Sequence, residues 1–291
     1  MNTTASRNRL GRIGIWSMEL RFGDAAEARE AAAELDQLGY GAIWVPGGIG
    51  GDILGDLSRL RDATQKAVIC SGILNIWKHT PEEVGTWWAG QTPAQQSRLL
   101  LGLGVSHGPI IGESYGKPLA AMRGFLDGLA AQNVPGSALC LAALRPKMLE
   151  LSRDRTAGAH PYLVTAAHSA MARKILGPEA LLAPEQGVVL ETDPTKARDM
   201  ARTVIDHYRR LPNYVNSWLN LGFTQADVDS ASDRLVDGLF AWGSTARIAD
   251  RVNEHLAAGA DHVCLQVITG APSMNVAAAR PAWRELAAAL L

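Results

Sequence analysis

Short runs of consecutive apolar residues recur along this chain, and most are followed by a stretch whose apolar positions fall three and four apart. Eight runs read as strands: Ile13 to Trp16, Ala42 to Val45, Ala67 to Ile73, Leu99 to Val105, Ala138 to Ala143, Pro161 to Thr165, Gly187 to Leu190 and His262 to Ile268. Amphipathic helical patterns lie between most of them, at 25 to 38, 54 to 64, 81 to 96, 119 to 131, 146 to 156, 169 to 176, 194 to 210 and 245 to 258. Continuously apolar strands alternating with helices indicate βαβ units and a parallel sheet covered on both faces.

Local chemistry agrees with these boundaries. Asp24 precedes an Ala/Glu-rich helix as its N-cap, and Gly39 follows Leu38 where a left-handed C-cap is needed. The same helix-glycine-strand junction returns near the other end as Ala257-Ala258-Gly259-Ala260-Asp261-His262-Val263. Thr80 and Pro81 make a good helix start, with the threonine as cap and the proline in the first turn. Eight α/β units fit a (β/α)8 barrel of the TIM type better than an open doubly wound sheet, which uses about five or six strands. From Glu191 to Asp261 no run reads as a strand. The segment LPNYVNSWLNLGFTQADVDSASDRLVDGLFAWG therefore reads as a helical insertion before the last strand, at about 191 to 243, within one domain spanning 1 to 291.

Composition narrows the partners. With 28 basic and 29 acidic residues, the chain offers no net field to draw nucleic acid or an anionic membrane, which points to a small-molecule substrate. Its apolar runs fall short of the roughly 20 residues of a membrane-spanning helix. The start, MNTTASRNRLGR, lacks the apolar core of a secretory signal and reads as a short disordered lead-in. Cys70, Cys140 and Cys264 are far apart and each sits in an apolar run, so they read as buried small hydrophobes in a cytoplasmic protein, with no metal site among them.

Barrel active sites form where the strands end, so the residues that follow each apolar run are the candidates. Trp16 ends the first run, and a glycine-rich stretch, Pro46 to Gly51, follows the second, leaving room for something to approach the backbone. Leu74-Asn75-Ile76-Trp77-Lys78-His79 follows the third, and Ser106 and His107 follow the fourth. His107, flanked by Ser106 and Gly108, reads either as a group that exchanges protons near neutral pH or as a loop histidine capping the next element. Arg145, before a proline that starts a helix, reads as an anion clamp or as a surface ion pair. His168 stands at another helix entrance, where an anion or a plain cap fits. His207 and His255 lie in helical patterns and read as solvated, and Trp87 and Trp88 read as core or interface residues. LLLGLGVSHG, at 99 to 108, is a strand rather than a dinucleotide loop, because no helix opens at its glycines. Phosphate-loop, nucleophile-elbow and zinc-binding signatures do not occur.

Taken in order, LLLGLGVSHGP, LAALRPKMLELSRDRTAGAHPYLVT and GADHVCLQV resemble the luciferase-like monooxygenase superfamily, in particular its branch of F420-dependent oxidoreductases from actinobacteria. The resemblance runs from about Gly14 to about Ile268. It implies a (β/α)8 barrel that holds coenzyme F420, or alternatively FMN, at the C-terminal mouth, in a homodimer. It also implies a bulge with a non-proline cis peptide at Gly72-Ile73. By the same resemblance Gly72, Ile73, Asn75, Val105 and Ser106 line the ring, Leu144, Arg145 and His168 hold the tail, and His107 takes the place of an acidic proton donor. Trp16, Trp77 and Tyr115 then shape the substrate side. One departure is Gly47-Gly48, where related F420 enzymes carry a polar pair. The activity so implied is hydride transfer between F420 and a small organic substrate. FMN-dependent monooxygenation and a non-catalytic cofactor-binding barrel are the alternatives.

Overall fold

The computed structural model describes residues 9–48, 50–112, 115–271 and 274–291. The predicted lead-in lies outside these residues up to position 8, as does Ile49 of the glycine-rich stretch; Leu10 is already fully buried. The strands are β1 (Ile13–Trp16), β2 (Ala42–Gly47), β3 (Val68–Asn75), β4 (Leu99–Gly104), β5 (Leu139–Leu141), β6 (Gly158–Ala159), β7 (Leu181–Leu182), β8 (Glu185–Val189), β9 (Phe240–Trp242) and β10 (Val263–Val267). All pair in parallel, in the order β7-β6-β5-β4-β3-β2-β1-β10-β8-β9. Helices alternate with them, which gives the curled, TIM-barrel-like arrangement the apolar pattern predicts.

β7 and β8 come from one run of chain, split at Ala183-Pro184. On one side, the Leu181 and Ala183 N–H groups donate to the Ala157 and Ala159 carbonyls. On the other, Leu182 and Pro184 carbonyls accept from Asp261 and Cys264. Residues 181–189 therefore touch both ends of the strand order, and their backbone polar groups find partners on each flank.

Several elements depart from the sequence reading. The sixth strand is Gly158–Ala159, not Pro161 to Thr165: Pro161 has no N–H to donate, and Leu163 has a left-handed φ of 52°, so the ladder cannot run on. β9 lies where no strand is predicted. Its three residues follow the helix Asp233–Leu239 and owe their conformation to pairing with distant β8, in the register Gly187↔Phe240. The 81–96 pattern forms two helices, Pro81–Ala89 and Pro93–Gln96, each with its own capping box at Thr80 and Thr92. The terminal helix Val276–Leu290, absent from the sequence reading, buries Trp283, whose carbonyl accepts the Tyr40 hydroxyl at 2.7 Å.

The helix Ala25–Leu38 matches its predicted bounds, with Asp24 accepting from the Ala26 and Glu27 N–H groups and Gly39 at φ 99°. Helices Pro194–Tyr208, Pro212–Asn220, Gln225–Ser230 and Asp233–Leu239, followed by β9, occupy residues 191–243. Inside the curl, Leu10, Trp16, Trp44, Cys70, Leu100, Cys140 and Cys264 pack together, and all three thiols are free and buried. His255 corrects its reading as solvated: it is fully buried on the inward stripe with Ile248 and Val252, between Ser169 Oγ at 2.8 Å and Gln186 Oε1 at 3.0 Å.

The strands approach so closely that some positions admit no side chain. A Cβ on Gly102 would stand 2.1 Å from the Ser71 carbonyl oxygen. Gly102→Ala should therefore lower the unfolding free energy by about 1–3 kcal/mol or more, read from denaturant melts; a melt unchanged from the parent would show that β3 and β4 are not packed this tightly.

Candidate active site

The third strand carries the main irregularity. Its pairing register shifts against β2 between Val45 and Gly47 and against β4 between Ser71 and Leu74, and the Gly72-Ile73 peptide is cis, as the resemblance implies. Neighbouring glycines make the space. A Cβ on Gly47 would stand 2.5 Å from the Ile73 carbonyl oxygen, and one on Gly104 would stand 2.6 Å from Ile73 Cδ1. Gly47 and Gly104 thus hold the bulge by lacking side chains, so at both positions the room is filled by Ile73. Gly48 alone of this group faces open space.

Around the bulge, the Trp16 indole N–H donates to the Gly72 carbonyl at 3.1 Å, and the Trp16 ring lies 5.4 Å from Tyr162. Asn75 is fully buried; its Oδ1 accepts the Trp77 N–H at 3.0 Å, while Nδ2 has no partner. The Trp77 indole N–H crosses to the Val105 carbonyl at 2.6 Å, and its ring lies 5.8 Å from Tyr115. Ser106 takes a left-handed φ of 53° and turns the chain so that His107 begins the short helix Gly108–Ile111. The His107 ring sits 5.3 Å from Tyr214, its Nδ1 buried and unpartnered, beside a cleft of about 180 Å³ that Tyr115, Pro212 and Asn213 complete. The inserted helix Pro212–Asn220 thus supplies one wall.

A third group gathers beyond β5 and β6. His168 is buried at the start of helix Ala166–Leu176, with Nε2 2.9 Å from the Leu144 carbonyl and Nδ1 unpartnered. Arg145 is exposed at the start of the ten-residue helix Pro146–Arg155. Arg21 secures the glycine-rich loop from behind: its guanidinium is buried against Asp56 at 3.0 Å and donates to the Pro46 and Gly50 carbonyls.

Sequence reading missed the floor of this region. Glu185 is 1% exposed, and it packs near Tyr162, Tyr208 and Tyr214 from three separate segments. The available signal was a glutamate and a glutamine standing in an apolar run, which the reading excluded by starting that strand at Gly187. Among the described residues no cluster of His, Cys, Asp or Glu is arranged to hold a metal ion. No helix among them is long and apolar enough to cross a membrane.

The electrostatics are those of a dry interior. Burial pushes His107, His160 and His262 down to about 4 and His255 down to about 3, so all are neutral near pH 7. Burial pushes the Glu185 carboxyl up to about 8, against the lowering effect of the Leu163 N–H.

No family model and no curated protein matches the chain. Solved structures do. An F420-dependent secondary alcohol dehydrogenase, in complex with an F420-acetone adduct, aligns with a TM-score of 0.73 at 13% identity, over 97% of this chain and 99% of that one. The coenzyme F420-dependent tetrahydromethanopterin reductase from Methanopyrus kandleri aligns at 0.67 and 14%, over 95% and 98%. The oxygenating constituent of 3,6-diketocamphane monooxygenase from Pseudomonas putida, in complex with FMN, aligns at 0.69 and 11%, over 96% of each chain.

The buried groups fix the pH dependence of stability. Unfolded histidines take up protons below about pH 6.5, whereas buried His160, His255 and His262 stay neutral, so stability falls as pH drops from 6.5 toward 4. The slope is about 1.4 kcal/mol per pH unit for each group, as an upper limit. Glu185 acts oppositely: its raised value makes stability decline as pH rises from its ordinary range through about 8. Thermal melts should peak near neutrality, and Glu185→Gln should flatten the alkaline side; melts independent of pH between 4 and 8 would contradict both burials.

The chain has the TIM-barrel-like fold shared by these F420-dependent oxidoreductases and this monooxygenase solved with FMN, with ten parallel strands in its sheet where eight are predicted.

Proposed function

We propose that the chain is a single-domain (β/α)8 member of the luciferase-like superfamily, with residues 191–243 as an insertion, and that it transfers a hydride between coenzyme F420 and a small organic substrate. One observation carries the reading. Asn75 Nδ2, His107 Nδ1 and His168 Nδ1 are buried polar atoms without partners among the described residues, at the end of β3 and on the segments following β4 and β6. Buried polar atoms ordinarily find partners, so three unsatisfied ones at the ends of parallel strands fit a polar ligand seated there.

The residues present suit a flat ring with a charged tail. Gly72, Ile73, Asn75, Val105 and Ser106 would hold the ring, and Leu144, Arg145 and His168 the tail, Arg145 being exposed beside backbone N–H groups at a helix start. When bound, F420 supplies the hydride chemistry, and the protein supplies position and field. His107, neutral at working pH, can accept a proton from a substrate hydroxyl or donate a hydrogen bond to a carbonyl. Trp16, Trp77 and Tyr115 exclude water on the substrate side. The alignment with an FMN complex keeps FMN as the second reading.

Separate titrations with F420 and FMN test the assignment. Saturable micromolar binding of F420, with FMN weaker, is the expected result; tight FMN binding with none for F420 would overturn the hydride-transfer reading in favour of the monooxygenase. With a working substrate, His107→Ala should lower kcat/KM by about 10²- to 10⁴-fold, and unchanged turnover would remove the histidine from the chemistry.

A further inference from the structure

The cleft of about 180 Å³ beside His107 is lined, among the described residues, by His107, Gly108, Pro109, Tyr115, Pro212 and Asn213. A single water needs about 10–15 Å³, so the space is that of an organic molecule. None of these walls carries a formal charge near neutral pH. Lys117 and Arg210, the cations closest to them along the chain, are exposed and do not line the cleft. The walls are flat and stiff: two prolines, and the Tyr115 ring, which Trp77 backs at 5.8 Å. A Cβ on Gly108 would stand 3.3 Å from Tyr115 Cδ1, so this glycine lets the ring close against the helix Gly108–Ile111.

Two of the lining side chains end in uncommitted nitrogen groups. His107 Nδ1 is buried and unpartnered, and a neutral imidazole nitrogen accepts from a hydroxyl or donates to a carbonyl, according to its tautomer. Asn213 stands second in the helix Pro212–Asn220, after the proline and away from the cap position. Asparagine disfavours a helix because its amide competes for nearby backbone groups, yet the Asn213 amide bonds to no described residue. It therefore contributes nothing to its own helix. The helix is nevertheless fixed in place: the Trp218 indole N–H donates to the Leu163 carbonyl at 3.1 Å, and the Tyr214 ring packs on Tyr208 at 4.7 Å and on His107 at 5.3 Å. A free amide is thus held on a rigid wall of the same cleft that His107 lines.

We propose that the cleft takes an uncharged ring compound with two oxygen functions: a carbonyl or hydroxyl at the reacting carbon, which meets His107, and a second oxygen, which the Asn213 amide binds. Asn213 is then a specificity-determining residue. The proposal rests on the hydride-transfer reading above and names its substrate class. Prolines, which have no N–H, and the Tyr115 ring offer an apolar ring a matching surface. A carboxylate or phosphate would lose water there with no cation to meet it, and an ammonium with no carboxylate. An amide carries both a donor and an acceptor, so it satisfies a hydroxyl or a carbonyl without any charge. A substrate lacking the second oxygen covers the amide and leaves it unpaired, which is how a polar group in a pocket rejects an analogue.

The test titrates the cofactor-free protein with four matched ring ketones: 4-hydroxycyclohexanone, cyclohexanone, 4-oxocyclohexanecarboxylate and protonated 4-(dimethylamino)cyclohexanone. Tryptophan fluorescence and the His107 imidazole NMR signals report binding. The hydroxyketone should bind saturably and move the His107 signals, with cyclohexanone about tenfold weaker and both charged ketones weaker again. Asn213→Ala should keep the wild-type thermal melt and lose the hydroxyketone's advantage, and Asn213→Asp should turn the preference toward the ammonium ketone. Equal binding of hydroxyketone and cyclohexanone, a charged ketone bound as tightly by the wild type, His107 signals that no ketone moves, or a preference that survives Asn213→Ala overturns the proposal. Failure to bind F420 and FMN overturns the proposed function, while these coenzyme-free titrations alone decide the selectivity of the cleft.

Discussion

The mouth of this protein depends on the absence of two side chains. Gly47 and Gly104, on the strands either side of β3, leave room for Ile73 to turn, its carbonyl against the first and its side chain against the second. The resulting register shift re-aims everything that follows: Asn75 faces inward, Trp77 crosses to the Val105 carbonyl, and the chain beyond Ser106 delivers His107 to the cleft. A bulge placed at the rim of a parallel sheet is a recurrent way to re-aim side chains at a site.

Charge is distributed with the same economy. Ion pairs such as Arg173–Asp261 and Arg280–Glu34 lie toward the periphery, where water shares their solvation. The interior holds, beside the buried Arg21 that Asp56 and two carbonyls satisfy, histidines that burial keeps unprotonated and one carboxyl that burial keeps protonated.

The parallel sheet and most helix bounds were legible because they rest on local signals: apolar runs, N-caps such as Asp24 and C-cap glycines such as Gly39. Gly47 and Gly104 were visible as unusual, but their reason was not, since a glycine that admits a neighbouring strand and one that admits a ligand look alike in one dimension. β9 and the buried state of His255 depend on partners more than 50 residues away, Gly187 in one case and Ser169 and Gln186 in the other. Glu185 escaped notice for a related reason. Its environment is assembled from tyrosines on separate elements, which no periodicity announces.

The most direct test of the account is a crystal structure of the F420 complex. The account predicts the deazaflavin ring against Gly72-Ile73, with Asn75 Nδ2 and His168 Nδ1 newly hydrogen-bonded to the coenzyme and the tail passing Arg145. A coenzyme bound elsewhere, with those atoms still unpartnered, would contradict it.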